Sequence, residues 1–444
     1  MELKKSRKYF IILLEHLFGG EIMEIEKINR NILCIDLKSF FASCECIERG
    51  LDPFKTPLVV ASRTQGTGAI TLAVTPYLKT KGVKSRGRLF EIPSDIKYQI
   101  VTPRMNLYIK KSSEVISILL DYVSKEDLHV YSIDECFIDV TNYLHLYKMS
   151  DIELGKTILR DIYSKTKLTA TCGVGPNLLL AKIAMDVDAK HNKDNVAKWT
   201  YDDVETKLWK ISPLSEMWGI GRRMEINLNK LGIYTVGELA NYNKHVLKDK
   251  FGVIGVELWR HANGIDNSII SEKNKLKQTA KSYGQSQILF KDYNRNNIRL
   301  IIDEMCDTIS SRLRKNNKVA RVISFGIGYS KNTYGGFYHS IKLDNPTDDK
   351  YEILKCCMLI FDNYYKDKPI RKVSISLGSI ETKKYVQLSL FKEIETTEKE
   401  NKFNLIIDEI KNKFGKNSIL KATALLPDST IIDRNKKIGG HNAG

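Results

Sequence analysis

Three acidic residues of the chain stand where short apolar segments meet polar ones. Asp36 follows the apolar run Ile32–Ile35, and the adjacent Asp134 and Glu135 separate two further apolar runs. Two strands that meet at an acidic pair predict a hairpin with both carboxylates near its tip. If these segments belong to one sheet, the three carboxylates converge at one edge of that sheet.

Such a cluster of carboxylates is suited to binding divalent cations. Acidic groups that share one site raise each other's pKa, and oxygen-ligated Mg²⁺ removes this repulsion. Two magnesium ions about 3.5–4 Å apart would promote phosphoryl transfer. An isolated Ser-Ile-Asp-Glu segment is more often an exposed turn, so the surrounding residues have to decide between the two interpretations.

The residues after Asp36 add two features to this picture. Ser39 is a candidate N-cap for a helix that begins at the next position. Phe40 and Phe41 would form an apolar wall beside a nucleotide bound at the carboxylates. Core packing of both rings fits the pattern equally well.

A glycine-bearing segment, Thr171–Gly175, precedes a helical pattern that carries Lys182 and leads to Lys190. A Gly-x-Gly turn before a helix is weak support for a phosphate cradle, because the P-loop pattern is absent. The segment by itself therefore decides nothing about nucleotide binding.

Residues 217–239 predict a helix–hairpin–helix. The turn is Gly219-Ile220-Gly221, and Arg222 follows it at the start of a helical pattern. Backbone N–H groups at such a helix start can bind a DNA phosphate without reading sequence. An ordinary turn between two helices is the alternative, and the glycines followed by arginine favour DNA contact.

The composition is compatible with a polyanionic partner but does not require one. Lysine and arginine total 70 against 53 acidic residues, a formal net charge of +17, which suits phosphate binding or a lysine-rich surface. The eight cysteines lack metal-binding spacing, which predicts buried free thiols in a reducing cytoplasm. The apolar run Tyr9–Leu14 is too short to cross a bilayer, so we expect no membrane segment and no signal peptide.

The elements that would position these residues alternate between strand and helix patterns, which predicts an α+β fold in several domains. In the first part, the predicted strands are Ile32–Ile35, Leu58–Ala61, Val130–Ile133, Cys136–Val140 and Leu168–Val174, and the predicted helices are Tyr108–Val123 and Leu178–Asp188. In the second part, the predicted strands are Val322–Tyr329, Gly336–Leu343 and Val373–Ile380, with helices at 296–315 and 349–365.

Four segments carry a family resemblance. They read CIDLKSFFASCE at 34–45, LAVTPYLKTKGVKSRGRLFEIP at 72–93, YSIDECFIDVT at 131–141 and TCGVGPNLLLAKIAMD at 171–186. Together they closely resemble the Y-family of DNA polymerases, the translesion enzymes, in its UmuC-like branch from Gram-positive bacteria. The segments occur in the family's order and at its spacing, and the resemblance extends over about residues 30–392.

The resemblance implies a metal site for the carboxylates. Asp36, Asp134 and Glu135 would be catalytic and would ligate two Mg²⁺ ions, or Mn²⁺ in their place. The carbonyl oxygen of Leu37 would also face a metal ion.

A nucleotide site is implied beside the metal ions. Phe41 would be the steric gate that rejects a ribose 2′-hydroxyl, with Phe40 next to it. Lys79 and Lys190 would contact the triphosphate of the incoming nucleotide.

The implied architecture is a right-hand polymerase. Its catalytic parts would be a palm at 29–39 and 107–197, fingers at 40–106, and a helical thumb with the helix–hairpin–helix at 198–275. A little finger would follow at 278–392. An N-terminal extension at 1–28, with Met23 as an alternative native start, and a flexible C-terminal tail at 393–444 would flank these parts. The expected DNA contacts are Gly219, Gly221 and Arg222 in the thumb, Arg86 and Arg88 in the fingers, and Lys281, Ser282, Arg312, Arg314 and Arg321 in the little finger.

The peptide Gln387-Leu388-Ser389-Leu390-Phe391 matches the motif by which bacterial proteins bind the sliding clamp, the β subunit. Leu388, Leu390 and Phe391 would fill an apolar pocket, and Gln387 would hydrogen-bond at its rim. A terminal strand is the alternative interpretation of the same alternating pattern.

The implied function is a cytoplasmic, low-fidelity DNA polymerase without proofreading. It would add dNTPs to a primer 3′-hydroxyl on template DNA in repair and SOS damage tolerance, with the clamp and SOS accessory proteins as partners. Two alternatives remain at this point: a nucleotidyl cyclase on a similar carboxylate hairpin, and a catalytically inactive regulator that binds DNA or the clamp.

Overall fold

The computed structural model describes residues 27–275, 281–383 and 394–444, and the chain divides into two units, 1–276 and 277–444. Both units combine helices with sheets, which confirms the α+β prediction. Within the described ranges, every helix is too short or too polar to cross a membrane.

Eight strands form the sheets of the first unit. They are β1 (Ile32–Leu37), β2 (Leu58–Ala61), β3 (Thr71–Val74), β4 (Gln99–Val101), β5 (Leu128–Val130), β6 (Glu135–Asp139), β7 (Ala170–Gly175) and β8 (Val196–Lys198). The central sheet has the order β5-β6-β1-β7-β8, and a smaller sheet has the order β3-β2-β4.

Strand β1 lies in the middle of the central sheet and pairs antiparallel with β6 and β7. Its side chains alternate between two cores, because successive residues of a strand point to opposite faces. Leu33 and Ile35 join the large core of the unit, while Ile32 and Cys34 join a smaller cluster on the other face. A strand that is apolar on both faces therefore delivers Asp36 to the edge of a buried sheet.

The helices of the first unit cover these sheets and continue into a helical region. They are α1 (Phe40–Ile47), α2 (Pro76–Thr80), α3 (Met105–Leu120), α4 (Leu144–Tyr147), α5 (Asp151–Thr166), α6 (Leu178–Ala184), α7 (Asp203–Thr206), α8 (Arg222–Asn229), α9 (Val236–Ala240), α10 (Lys244–Phe251), α11 (Val253–Ala262) and α12 (Ile270–Lys275). Residues of α7 to α11 form a core of their own, separate from that of the central sheet.

Helix α1 packs in the core of the central sheet. Its buried residues Phe40, Ala42, Cys44 and Cys46 share that core with Leu33. The predicted boundary between palm and fingers, at residues 39 and 40, therefore runs through one hydrophobic core. The smaller sheet has a separate cluster on its other face.

Two predicted elements end earlier than their apolar patterns. Strand β5 stops at Val130, because the N–H groups of Tyr131 and Ser132 both donate to the carbonyl of Glu135 in a tight turn. Helix α6 stops at Ala184, and a π-helical turn, Met185–Ala189, follows it.

The N-cap predicted at Ser39 does not form the expected bond. Ser39 precedes α1, but its backbone is left-handed (φ 50°, ψ 42°), and its hydroxyl makes no capping hydrogen bond. The buried Oγ atom has no hydrogen-bond partner within the described part of the chain. Local propensity predicted the position of the helix start and missed its geometry.

The glycines of β7 serve packing between the strand and α6. A Cβ atom on Gly173 would lie 2.0 Å from the carbonyl oxygen of Ala181 and 2.4 Å from the nitrogen of Met185. A Cβ atom on Gly175 would lie 2.4 Å from the nitrogen of Ala181. This close approach gives the Gly-x-Gly segment a structural explanation, and no phosphate cradle is needed to account for it.

The second unit contains a four-stranded antiparallel sheet with two helices. Its elements are β9 (Ser282–Tyr293), α13 (Ile298–Lys315), β10 (Lys318–Tyr329), β11 (Gly336–Thr347), α14 (Lys350–Tyr364) and β12 (Ile370–Thr382). The strand order is β11-β10-β12-β9, and residues of α13 and α14 share one core with the sheet. All five elements predicted in this region are present.

The prediction of a flexible tail at 393–444 is wrong for residues 394–444. They form α15 (Ile394–Phe414), α16 (Ile431–Asn435), and the short strands β13 (Lys437–Ile438) and β14 (His441–Asn442). Asp408 of α15 pairs with Arg314 of α13 at 2.8 Å, and Thr430 donates to the buried carboxylate of Glu304 at 3.1 Å. A polar composition predicted a loose tail because the acceptors and donors that hold it lie about a hundred residues away in sequence.

All eight cysteines are buried free thiols, as the sequence predicted. Cys34 and Cys172 lie on the central sheet, and burial raises the pKa of Cys34 well above its ordinary value. Their role in this fold is apolar packing.

The packing at Gly173 gives a test of the fold. Gly173→Ala should lower the free energy of unfolding by about 1–3 kcal/mol, because the new methyl group collides with backbone atoms of the next helix. Urea unfolding followed by circular dichroism measures the change. Gly68→Ala is the matched control, since a Cβ atom there meets nothing within 4 Å; equal stability of the two variants would contradict the account.

Candidate active site

The three acidic residues lie at one end of the central sheet. Asp36 on β1 is the direct cross-strand partner of Glu135 on β6. The N–H group of Leu37 donates to the carbonyl oxygen of Asp134 at 2.9 Å, which joins the two acid-bearing segments just beyond that pair. The convergence predicted from sequence is therefore produced by strand register.

Lysine ammonium groups neutralise two of these acids. Lys182 Nζ lies 2.9 Å from Glu135 Oε2, and Lys190 Nζ lies 3.4 Å from Asp36 Oδ2. Asp186 stands between the two lysines on the same helical segment, 3.1 Å from Lys182 and 2.8 Å from Lys190. The result is an alternating row of positive and negative charges along α6 and its π-helical turn.

The third acid has a different environment. The hydroxyl of Ser132 donates to Asp134 Oδ1 at 2.6 Å within the turn. Cys34 donates its S–H to Glu135 Oε1 at 3.4 Å from the buried side of the sheet. Asp134 is thus held by a neighbour in its own turn, and Glu135 by a thiol of the adjacent strand in addition to Lys182.

The electrostatics of Asp36 reflect the crowding. Burial raises the pKa of Asp36 from 3.8 to about 6; Lys190 opposes the rise, and Asp134 and Glu135 add to it. A cation bound between these groups would stabilise their ionised forms.

The oxygen atoms of these residues are of the kind that binds a hard divalent cation, but the side chains are not grouped around an ion-sized space. Carboxylate and carbonyl oxygens are the ligands that Mg²⁺ prefers. Within the described residues, no three His, Cys, Asp or Glu side chains are grouped so that they could hold a metal ion. The ammonium of Lys182 occupies the space beside Glu135 instead, so a cation would have to displace it.

Further lysines approach the acids from the other side. The pKa of Lys79 is lowered by burial and by Lys190, while Asp36 and Asp134 act against this. The pKa of Lys38 is lowered by burial, by Lys79 and by Lys190. Lys38, Lys79 and Lys190 therefore lie within electrostatic reach of one another and of the carboxylates.

The two phenylalanines have separate environments. Phe40 is 3% exposed and belongs to the core, which corrects the prediction that it contacts a nucleotide. Phe41 is half-buried and packs against that core. Of the two rings, the one available to a bound ligand is Phe41.

The glycine turn before α8 is open. Gly219 has a φ of 94°, in the left-handed region that favours glycine, and Gly221 is the N-cap residue of α8. A Cβ atom on either glycine would meet nothing within 4 Å, and Arg222 is exposed. The turn therefore presents its backbone to solvent, as a phosphate-binding turn requires.

The other predicted contacts differ in their surroundings. Arg86 and Lys281 are exposed, while Arg88 donates to the carbonyl oxygen of Gly68 at 2.7 Å. Arg314 is paired with Asp408 at 2.8 Å within the second unit, and its contact with DNA stays a prediction. The clamp peptide, with Gln387, Leu388, Leu390 and Phe391, lies outside the described residues.

Sequence analysis missed three residues that surround the acids. Lys38 was not singled out, and Lys182 and Asp186 were not recognised as partners of the carboxylates. The spacing Lys182–Asp186–Lys190, in which each charge follows the previous one by four positions on one helical face, was a usable signal.

Comparison with known protein families gives three matches along the chain. Residues 35–186 match the impB/mucB/samB family, residues 201–233 match the helix–hairpin–helix motif of that family, and residues 280–390 match its C-terminal domain. The first match contains all three acids, and the second contains the open glycine turn.

Two proteins with similar sequences are named as a DNA repair protein and as a DNA polymerase. UvrX of Bacillus subtilis (strain 168), named as a UV-damage repair protein, is 42% identical over 93% of this chain and 98% of its own. DNA polymerase IV 2 of the same organism is 32% identical over 92% of this chain and 98% of its own. A solved Y-family DNA polymerase chimera of Dbh and Dpo4 has the same fold, with a TM-score of 0.63 at 22% identity, covering 79% of this chain and 99% of its own.

The raised pKa of Asp36 makes the stability of the metal-free protein depend on pH. Between pH 3.8 and about 6, Asp36 is protonated in a larger fraction of native than of unfolded molecules, so its contribution to the free energy of unfolding falls as pH rises through this window. The fall is at most about 3 kcal/mol. Urea unfolding in EDTA should resolve it, and Asp36→Asn should abolish it.

Magnesium provides the second half of this test. Saturating Mg²⁺ should flatten the wild-type pH profile, because a bound cation lowers the pKa of Asp36, and it should leave the profile of Asp36→Asn unchanged. Superimposable wild-type profiles with and without Mg²⁺ would count against a cation site at Asp36.

Proposed function

The chain belongs to the impB/mucB/samB family of Y-family DNA polymerases, and from that premise we propose that it copies damaged template DNA. It is a DNA-directed DNA polymerase, whose substrates are primer–template DNA and dNTPs. The observation that carries the catalytic part of the proposal is the position of Asp36, Asp134 and Glu135 at one sheet edge inside the family match, and the repair name of UvrX supports lesion bypass. The cyclase is set aside because it does not explain a family match that includes the helix–hairpin–helix. The inactive regulator is set aside because the acids at 36, 134 and 135 are all intact.

Asp36, Asp134, Glu135 and the carbonyl of Leu37 would hold two Mg²⁺ ions, or Mn²⁺ in their place. The ions, when bound, supply the Lewis-acid chemistry by which the primer 3′-hydroxyl displaces pyrophosphate from a dNTP. The chain's own contribution is to keep three carboxylates ionised and close together on a rigid strand pair. Lys182 and Lys190 act as their counter-charges until the ions bind.

The triphosphate would lie against the lysines around the acids. Lys79 and Lys190 are the proposed contacts, and Lys38 lies within their electrostatic reach. Ammonium groups that lower each other's pKa gain stability when a polyanion binds between them. Lys190, which is 3.4 Å from Asp36, would exchange that carboxylate for a phosphate oxygen.

Phe41 would select the sugar. Its half-buried ring lies at the start of α1, four residues beyond the end of the acid-bearing strand. A ring fixed there would leave room for a deoxyribose and would collide with a ribose 2′-hydroxyl.

The duplex would be held by contacts that do not read sequence. The open turn with Gly219 and Gly221 and the exposed Arg222 suit one DNA phosphate. Lys281 and Arg86 are exposed candidates elsewhere, and the net charge of +17 favours phosphate binding in general. Arg88 is a weaker candidate, because its side chain already donates to a backbone carbonyl.

The parts of the fold can be assigned to the domains of a right-hand polymerase. We assign the central sheet to the palm, the smaller sheet to the fingers, helices α7 to α11 to the thumb and the sheet of the second unit to the little finger. The thumb and the little finger have cores of their own, which supports their assignment. The smaller sheet has its own cluster on one face and shares the core of the central sheet on the other.

The cellular setting remains part of the proposal. The enzyme would act in the cytoplasm, with low fidelity and without proofreading, during DNA repair and SOS damage tolerance, and SOS accessory proteins would be partners. The repair name of UvrX, a protein similar over nearly the whole chain, supports the repair role.

Clamp recruitment is proposed through Gln387, Leu388, Leu390 and Phe391. These residues follow β12 in sequence and precede α15, whose Asp408 is bound to α13. The peptide therefore lies in the chain between two folded elements of the second unit. Recruitment by an internal segment of this kind would tether the polymerase to the primer terminus.

Primer extension with Mg²⁺ tests the catalytic assignment. The double variant Asp134→Ala, Glu135→Ala should lose at least roughly a thousandfold in extension rate, because transition-state charge is no longer stabilised. Asp194→Ala is the matched control, an exposed acid that pairs with Lys156 at 2.6 Å and belongs to none of the proposed contacts. Full extension by the double variant, with the control also active, would refute the site.

The clamp peptide can be tested apart from the chemistry. Leu390→Ala with Phe391→Ala should abolish stimulation by the sliding clamp while basal extension stays at the wild-type rate, since the isobutyl group of Leu390 and the phenyl ring of Phe391 are lost. Ser389→Ala, inside the same peptide, should keep full stimulation. Stimulation that survives the double change would assign recruitment to another segment.

A further inference from the structure

The geometry points to Tyr108 and Glu45 as positioning residues for Phe41, fixing the ring's depth and thereby how strictly ribonucleotides are excluded. This inference rests on the proposed function, in which the ring of Phe41 excludes the 2′-hydroxyl. Tyr108 and Glu45 do not touch the nucleotide; they act through Phe41.

The ring of Tyr108 packs beneath the ring of Phe41 and supports it. The two rings stack with centroids 4.4 Å apart and planes inclined by 13°. Tyr108 lies on α3 and is 0% exposed, and Phe40 meets the same ring edge-on at 6.4 Å. A fully packed ring cannot move aside without opening a cavity, so Phe41 cannot sink further into the core.

The hydroxyl of Tyr108 fixes the position of the Tyr108 ring. It donates a 2.7 Å hydrogen bond to Glu45 Oε1. Glu45 stands four residues after Phe41 on α1, and residues at this spacing lie on the same face of a helix. The stacked rings and the hydrogen bond therefore join α1 to α3 at two points, one turn apart.

The carboxylate of Glu45 is held in one orientation by hydrogen bonds and ion pairs. It is 0% exposed and accepts hydrogen bonds from Arg104 Nε at 3.1 Å and Arg104 Nη2 at 2.7 Å, and Arg49 pairs with it as well. Burial acts to raise its pKa, but the hydrogen bonds from Arg104, Tyr108 and Arg49 outweigh burial and keep the pKa below its ordinary value. A planar guanidinium fork holds an ionised carboxylate in one orientation.

This cluster is better suited to positioning than to stability. Buried ion pairs contribute little net stability compared with apolar packing, and their best-supported use is to specify one geometry. The geometry specified here is the spacing of α1 and α3 beneath Phe41. Loosening it would give room to a 2′-hydroxyl while leaving the carboxylates on β1 and β6 untouched, so ribonucleotides would gain more than deoxyribonucleotides.

The ratio of kcat/KM for a dNTP to that for the matching rNTP measures the effect. Tyr108→Phe keeps the ring and removes its anchor, and it should lower this ratio roughly tenfold, about the effect of one hydrogen bond to a charged group. Tyr108→Ala should lower the ratio further, towards that of Phe41→Ala. Tyr122→Phe is the matched control, because it removes a tyrosine hydroxyl bound to another carboxylate of the same unit, Asp161, at 3.3 Å.

The outcomes separate this inference from the function on which it rests. If Phe41→Ala relaxes sugar selection but both Tyr108 variants keep the wild-type ratio, positioning is refuted and the gate stands. If Tyr108→Phe lowers the rates with both sugars equally, its role is structural and the inference fails. If Phe41→Ala itself leaves the ratio unchanged, the gate and this inference fall together. Thermal unfolding of each variant identifies misfolding, and Tyr108→Phe decides the question if the alanine variant does not fold.

Discussion

Mutual repulsion among three carboxylates is the constraint on which the described site depends. Strand register brings Asp36 opposite Glu135, and the turn adds Asp134 beside them. Such crowding is unfavourable in a buried sheet edge unless positive charge is near. Without a metal ion, the positive charge comes from Lys182 and Lys190, which Asp186 holds in line.

In the structure these lysines neutralise the acids. Under the proposed function, divalent cations would take their place and the lysines would contact a polyanion. The π-helical turn at Met185–Ala189 carries Asp186 just before Lys190, and such turns are often found at functional sites. The chain therefore keeps its acids compensated before substrate arrives.

Around this centre, packing provides rigidity at several distances. Glycines in β7 let α6 approach the sheet closely, which brings Lys182 to Glu135. On the opposite side, the buried cluster around Glu45 ties α1 to α3 beneath Phe41. In the second unit, the C-terminal segment is fastened to α13 through Glu304 and Asp408. In each case a polar or tight contact sets a geometry that apolar burial alone would leave open.

The sequence by itself determined the elements and the identity of the acids, because these follow from local patterns. Apolar runs fixed β1, β2 and the strands of the second unit, and the acids at their ends were visible as positions 36, 134 and 135. Only the tertiary structure decided which charged side chains form ion pairs with each other. The pairs Lys182–Glu135, Arg104–Glu45 and Arg314–Asp408 join residues 47, 59 and 94 positions apart, so no local pattern encodes them. It also sent Phe40 into the core, left Phe41 at the surface and folded the polar C-terminal segment onto α13, because burial depends on which surfaces meet.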